Sequence, residues 1–256
     1  MNNRLLYVTS FSDDLYKASG YRLINTYIKH KILSPMLVCY ENFDYVSPEA
    51  SKIFTYPLHT SDYLNNWLIE NNDIIPEYLG GTATAKTSPD IFSKVMKRKA
   101  SRFFRKVAAL EYALETYGET YQYIVWIDCD CHFIKHLSNN DMISKFRDRG
   151  MFYHQGKSRE SIDAGYEAGI MGFSKNYGGY ELLDRVIECF ADGSFRQYRR
   201  WDDGYVIRKI VQESPDIPTI DLTPDCPNNN PILTRSPFNS YIRHEKGKHG
   251  RMNISL

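Results

Sequence analysis

The 256-residue sequence predicts an α/β fold, a mostly parallel central sheet flanked by helices, and two observations carry that prediction. Short apolar runs of β-favouring residues alternate with segments whose apolar positions recur every three or four residues, the alternation of strand and crossover helix that builds a parallel sheet. One run, Tyr123–Ile127, is apolar throughout, as a strand buried on both faces must be, and it ends abruptly in Asp128-Cys129-Asp130.

Residues 5–9 read as the first strand, residues 10–14 as a polar loop, and the spacing of Tyr21, Leu23, Ile24, Tyr27 and Ile28 as a helix. Residues 36–40 and 52–56 give two further strands and residues 63–70 a helix, so the first half reads as a nucleotide-binding unit. Residues 80–90, with Gly80, Gly81 and a Ser88-Pro89-Asp90 turn, read as a mobile loop serving as a lid. Phe104, Val107, Ala108, Leu110, Ala113 and Leu114 mark an amphipathic helix over residues 101–117 that stops at Gly118. Beyond the apolar run, residues 138–141 form a capping cluster for a short helix over 142–146. Residues 168–173 then read as a strand, and 180–191 and 202–211 as helices. The Pro-, Asn- and Gly-rich stretch 223–251 reads as loop or short strand laid over the body. One domain over residues 1–256 is the expectation.

Composition narrows the function classes. Lys and Arg number 32 against 31 Asp and Glu, so nothing global favours nucleic acid or an anionic membrane, and any anion site must be local. Five cysteines do not make a disulfide framework, and the start lacks a basic, apolar leader, so the reducing cytoplasm is the expectation. The apolar runs fall short of the ~20 residues a membrane-spanning helix needs, so no transmembrane segment is expected. The 20 tyrosines and 13 phenylalanines suit stacking on bases or sugars, although most belong to the core.

Asp128 and Asp130 stand two apart where the apolar run ends, and continued strand geometry points both carboxylates to one side. Two hard oxygen ligands then face the crevice beyond the strand ends, where open α/β sheets bind ligands. A divalent cation there, Mn²⁺ or Mg²⁺, neutralises a diphosphate and stabilises the charge that grows on it as a sugar-phosphate bond breaks. An isolated D-x-D recurs by chance and then merely opens a solvated loop; the buried strand in front of it strengthens the metal reading.

From Arg105-Lys106 through Tyr123-Ile124-Val125-Trp126-Ile127-Asp128-Cys129-Asp130 the chain resembles GT-A glycosyltransferases. Those enzymes commonly show a basic residue on the helix before a strand ending in D-x-D, an acidic pair opening a later helix, and a C-terminal histidine. Trp201-Asp202-Asp203-Gly204-Tyr205 and His244-Glu245-Lys246-Gly247-Lys248-His249 supply the last two. The resemblance implies a single GT-A-like, Rossmann-like domain, with a nucleotide-sugar-binding half over about 1–130 and an acceptor-binding half with a metal and phosphate tail over about 131–256. It implies transfer of a sugar from a UDP-sugar, or next a GDP-sugar, to a glycan or other hydroxyl acceptor. Asp130 is then the direct metal ligand, with Asp128 toward the donor ribose or sugar and the metal, and with His244 or His249 completing the shell. Lys246 and Lys248 take the diphosphate, Lys106 the nucleotide or sugar, and Asp203 of the Asp202-Asp203 pair the role of base, which favours inversion. Glu167 and Gly169, with Asp163 a weaker candidate, form the floor under the sugars, and Thr9 and Tyr56 lie where nucleotide contacts follow the first and third strands.

Plainer readings stand beside these. Asp202 and Asp203 also suit a helix N-terminus, and the glycines near Glu167 suit a strand entry. The run Lys97, Arg98, Lys99, Arg102, Arg105, Lys106 suits a solvated basic face or contact with an acidic surface. Cys129, Cys131 and His132 lack the second cysteine pair of a zinc finger. A haloacid-dehalogenase-like Mg-dependent phosphatase is the main alternative, opposed by His132 and by the late position of the strand; a non-catalytic nucleotide- or sugar-binding module is the other.

Overall fold

The computed structural model describes residues 4–74, 94, 96–97, 99–161, 163–227 and 232–245. The lid reading of residues 80–90 lies outside them. Three strands, β1 (Leu5–Ser12), β2 (Met36–Glu41) and β3 (Ile53–Pro57), pair in parallel as β1–β2–β3. Parallel neighbours need a crossover, and α1 (Tyr21–Lys29) supplies the first. After β3 the chain runs through α2 (Asp62–Glu70) and α3 (Ala100–Tyr117) before β4 (Tyr123–Ile127), which pairs in parallel with the other side of β1. Strand order thus reverses between β1 and β4, and the ends of those two strands flank the crevice where such sheets bind ligands.

The second half extends the same sheet. Strands β6 (Met151–Tyr153), β7 (Ile170–Ser174) and β8 (Thr219–Asp221) complete the order β3-β2-β1-β4-β7-β6-β8, with β4–β7 and β6–β7 antiparallel. A separate two-stranded ribbon joins β5 (Cys131–Phe133) to β9 (Ile242–His244), pairing Cys131 with His244. Helices α4 (Asn139–Ile143), α5 (Gly156–Ser161), α6 (Gly179–Ala191) and α7 (Asp203–Glu213) complete the main elements.

Every residue of β4 is buried, and the two-residue period of a strand divides them between two cores. Ile124 and Trp126 join Leu6, Val8 and the α3 residues Phe104, Val107 and Leu110 on one face. Tyr123, Val125 and Ile127 join Leu5, Tyr7 and the α1 residues Leu23, Ile24 and Tyr27 on the other. At about 1.5–3 kcal/mol for each large apolar side chain removed from water, this double burial makes the end of β4 a rigid platform.

The structure corrects some element boundaries. Residues 10–12, expected in a loop, continue β1, because Ser10, Phe11 and Ser12 pair with Cys39, Tyr40 and Glu41 while Phe11 is buried. A short helix (Asp13–Leu15) and a π-helical turn (Tyr16–Gly20) then lead into α1. Helix α4 starts at Asn139, earlier than expected, because Ser138 accepts the Asp141 N–H as its cap. Among the described residues no helix is long and apolar enough to cross a membrane.

Candidate active site

At the end of β4 the backbone turns instead of continuing. The Asp128 N–H donates to the Gly169 carbonyl at 2.8 Å, and the Cys131 N–H donates back to the Asp128 carbonyl at 2.9 Å. The expectation that Asp128 and Asp130 share one face of a continued strand is therefore corrected: a tight turn separates them, and their carboxylates meet different partners.

Asp128 faces α3. Its Oδ1 accepts from Trp126 Nε1 at 2.6 Å and lies 3.0 Å from Lys106 Nζ. The same ammonium stands 2.5 Å from Asp203 Oδ2, donates to the Ala168 carbonyl at 2.8 Å and sits 4.9 Å from the Trp126 ring. Burial opposes the Lys106 charge, yet Asp128 and Asp203 together hold its pKa well above the ordinary lysine value. Burial likewise opposes ionisation of Asp128, but Lys106, His244 and the Trp126 N–H outweigh it and lower the pKa. Two carboxylates thus share one buried cation.

Asp130 faces the ribbon. Pairing of β5 with β9, fastened by the Glu245 N–H on the Asp130 carbonyl at 3.0 Å, brings His244 Nε2 to 3.1 Å from Asp130 Oδ1. His244 Nδ1 lies 3.9 Å from Glu167 Oε1. Burial would depress the imidazole, but Asp130, Asp128 and Glu167 raise its pKa above the ordinary value. Ligand atoms of Asp130, Cys131 and His244 all fall within 4.8 Å of one another. The Cys131 thiol is driven well up by burial and by Asp130, and it donates to the Gly169 carbonyl at 3.6 Å, so it adds no anion. Asp130 Oδ1 is shut off from solvent and has no aligned hydrogen-bond donor among the described residues. Protonated, His244 balances this oxygen itself; with the imidazole neutral, a carboxylate oxygen beside a ring nitrogen fits a divalent ion.

The neighbouring residues act as supports. A Cβ on Gly169 would stand 2.9 Å from His244 Cε1, so this glycine, expected to admit a ligand, instead seats the imidazole. Gly204 lets α7 meet the segment before β7 that carries Glu167: Tyr166 N–H donates to the Gly204 carbonyl at 2.9 Å, and a Cβ would stand 2.4 Å from the Tyr166 oxygen. Asp202 gives both carboxylate oxygens to Arg200, at 2.8 and 2.9 Å, and burial pushes its pKa up against that pull. Only Asp203 of the pair reaches Lys106, so Asp202 holds the turn. Glu167 lies 3.6 Å from Arg159 Nη1. Asp163 accepts from Tyr205 Oη at 2.8 Å and from Arg208 at 3.2 Å, away from both carboxylate pairs of the turn.

Two expected nucleotide contacts are not presented to the crevice. Thr9 is fully buried inside β1, which runs on to Ser12, and the Tyr56 ring stacks on Tyr112 at 3.5 Å and 5°. Lys246, Lys248 and His249 lie outside the described residues.

Sequence reasoning missed several members. Trp126 was findable, since a residue two before Asp128 shares its strand face. Arg22 was not: it reaches from α1 to Glu245, whose other carboxylate oxygen lies 3.8 Å from His132, and nothing local announces such a distant pair. Tyr16 and Phe43, stacked at 5.5 Å and 27°, form an aromatic surface just past β1 and β2. Ser19 Oγ stands 3.8 Å from Cys129 Sγ, which sets the π-helical turn against the Asp128–Asp130 turn at the crevice.

No protein-family profile and no curated protein matches the sequence. Among solved structures, the bifunctional glycosyltransferase WbbM in its apo form superposes with a TM-score of 0.52 at 11% identity, over 97% of this chain and 46% of that one. The fold, an α/β, mostly parallel sheet flanked by helices, is therefore one that this chain shares with that glycosyltransferase. The chain spans less than half of WbbM, and at this identity the likeness concerns fold alone. Apo mouse xyloside xylosyltransferase 1 aligns at 11% identity and a TM-score of 0.48, over 86% of this chain and 84% of that one. A glycosyltransferase involved in glycosylation of the major capsid of PBCV-1 aligns at 10% and 0.46, over 96% of each. The fold assignment rests on the WbbM superposition and not on these two weaker ones.

Proposed function

We propose that the protein is a GT-A-type glycosyltransferase that moves a sugar from a nucleoside-diphosphate sugar, UDP-linked first and GDP-linked next, to a hydroxyl of a glycan. The observation that carries this reading is the meeting of Asp130 with His244 beside the Asp128–Lys106–Asp203 cluster, at the strand ends where the sheet order reverses. Asp130 and His244, with Asp128 across the turn, would hold Mn²⁺ or Mg²⁺. When bound, that ion supplies positive charge to the diphosphate oxygens as the leaving group departs.

The chain's own residues do the rest. Asp203 accepts the proton of the acceptor hydroxyl as its oxygen bonds to the anomeric carbon and the bond from that carbon to the diphosphate breaks. Lys106, at 2.5 Å, fixes the orientation of Asp203, and a side chain only 8% exposed keeps bulk water from competing for it. Glu167 orients His244, and Gly169 gives the ring its seat. Lys246 and Lys248, which follow His244 in sequence, are assigned to the diphosphate. The Tyr16 and Phe43 rings replace Thr9 and Tyr56 as the surface for the base. The chain is read as one unit, since the sheet draws on both halves.

Nothing favours the phosphatase alternative. That chemistry needs the later acidic pair at the metal, whereas Asp202 is held by Arg200 and Asp203 by Lys106. The test is release of nucleoside diphosphate from a panel of UDP- and GDP-sugars with acceptor glycans and Mn²⁺. Metal-dependent release and an inverted anomeric centre by NMR are expected. Phosphate release from a generic monoester, with no donor turned over, refutes the reading.

A further inference from the structure

Residues 94–106 hold seven Lys or Arg and no Asp or Glu, although the whole chain balances 32 against 31. Lys106 is neutralised internally by Asp128 and Asp203, and Arg105 by Glu41 at 2.5 Å. Lys94 and Arg102 are exposed, and neither they nor Lys97 has a carboxylate at ion-pair distance among the described residues.

Lys97 lies beside the segment that leads into Asp203. Arg102 precedes Lys106 by one helical turn, so the two share a face of α3. Burial and the Asp130 and Asp128 charges push the Cys129 thiol up, and the Arg102 charge pulls the other way. Lys97 Nζ sits 4.8 Å from the Trp201 ring, with Arg196 Cζ 5.5 Å from the same ring, immediately before Asp202 and Asp203. The Trp201 ring is partly exposed and packs edge-on to Phe195 at 5.4 Å, so it gathers these cations at the start of α7. The cations also work against their own helix: α3 carries no acidic residue in its first turn, where the dipole favours negative charge, and Arg102 stands there instead.

In the transferase reading, on which this inference rests, the donor's diphosphate is met by the Asp130–His244 cation and the lysines after His244. The surplus positive charge lies on the Asp203 side, where the acceptor arrives. We propose that the acceptor is an anionic glycan, bearing a carboxylate or phosphate near the accepting hydroxyl, and that Lys97 and Arg102 select it against the Trp201 ring. A lipid surface is the other occupant that the test distinguishes; among the described residues the exposed large apolar side chains Leu33, Val46, Ile69, Ile134 and Tyr177 belong to other segments.

The test is calorimetric titration of the whole chain, with UDP or GDP and Mn²⁺ present. The probes are two charge pairs: oligogalacturonate against its methyl ester, and phosphomannan against its dephosphorylated form. The expected result is that at least one anionic probe binds about tenfold tighter than its neutral partner, an advantage that shrinks as salt is raised. In the Lys97→Gln/Arg102→Gln variant that advantage disappears, while nucleotide binding and the thermal midpoint stay unchanged. Which pair discriminates tells carboxylate from phosphate. Equal binding within both pairs, binding only to vesicles containing phosphatidylserine, or loss of nucleotide binding in the variant overturns the proposal. Wild-type protein that binds no nucleotide with metal removes the transferase reading and this inference together. Intact nucleotide binding without charge discrimination removes this inference alone.

Discussion

Asp128 and Asp130 leave the same strand end, and the protein treats them in opposite ways. Asp128 is met from inside: Lys106 and the Trp126 N–H neutralise it, and Lys106 reaches on to Asp203. Asp130 is met by His244, whose proton affinity it helps to raise and whose ring nitrogen is also a possible metal ligand. Buried charges must be paired, and the two pairings differ: one partner is a lysine that stays charged, the other a histidine that can give up its proton. The first suits a base held in place for an acceptor, and the second a metal with its phosphates.

The largest effect is expected at the base. Asp203→Asn should lower the transfer rate by about 10²- to 10⁴-fold while leaving metal-dependent donor binding intact, measured by initial rates beside calorimetry. Retained turnover would break the division between the two sides. Next, Lys106→Met leaves Asp128 and Asp203 buried without their shared cation. Urea denaturation should show a loss of about 3–5 kcal/mol, partly recovered by adding Asp203→Asn, and an unchanged midpoint would mean the pair is not internally balanced.

A smaller effect sharpens the other side. Arg22 clamps Glu245, whose backbone binds Asp130, so Arg22→Gln should loosen His244. Mn²⁺ affinity, read by paramagnetic resonance with nucleotide present, should fall by about tenfold with little change in thermal midpoint, and Arg22→Lys should recover part of it. Smallest is a pH effect behind the site. His154 is fully buried beside Phe238, and burial lowers its pKa to about 4. The unfolded chain, with histidine near about 6.5, binds the proton first as pH falls, so the His154 contribution to stability declines from pH 6.5 toward 4, against the opposite contributions of His244 and Glu111, whose pKa values are raised. Between pH 7 and 5.5 the loss should be about 1 kcal/mol, and His154→Leu should flatten that limb of the denaturation profile.

The main strands and helices were legible because their period is local. Tyr123–Ile127 could hardly be anything but a buried strand, and the apolar spacing of residues 101–117 matches the helix found over Ala100–Tyr117. The site was legible as a set of residues but not as a geometry. Asp128, Asp130, Asp203, Lys106 and His244 do gather, yet the turn after Ile127 depends on the Gly169 carbonyl, some forty residues on, and splits the acidic pair. The ribbon that delivers His244 has three residues in each strand, too few for alternation to stand out, and its partners lie at opposite ends of the second half. Thr9 was rightly read as strand, but the polar residues after it resemble a loop, whereas β1 runs on to Ser12 and leaves Thr9 buried inside it.

Metal-dependent nucleotide binding to wild type and Asp130→Ala, titrated with UDP and GDP with and without Mn²⁺, tests the central claim most directly. Wild type should bind at least one nucleotide only when the ion is present, and Asp130→Ala should lose that binding while keeping its thermal midpoint in nucleotide-free buffer. Nucleotide binding that ignores the ion, or survives the substitution unchanged, would contradict the account.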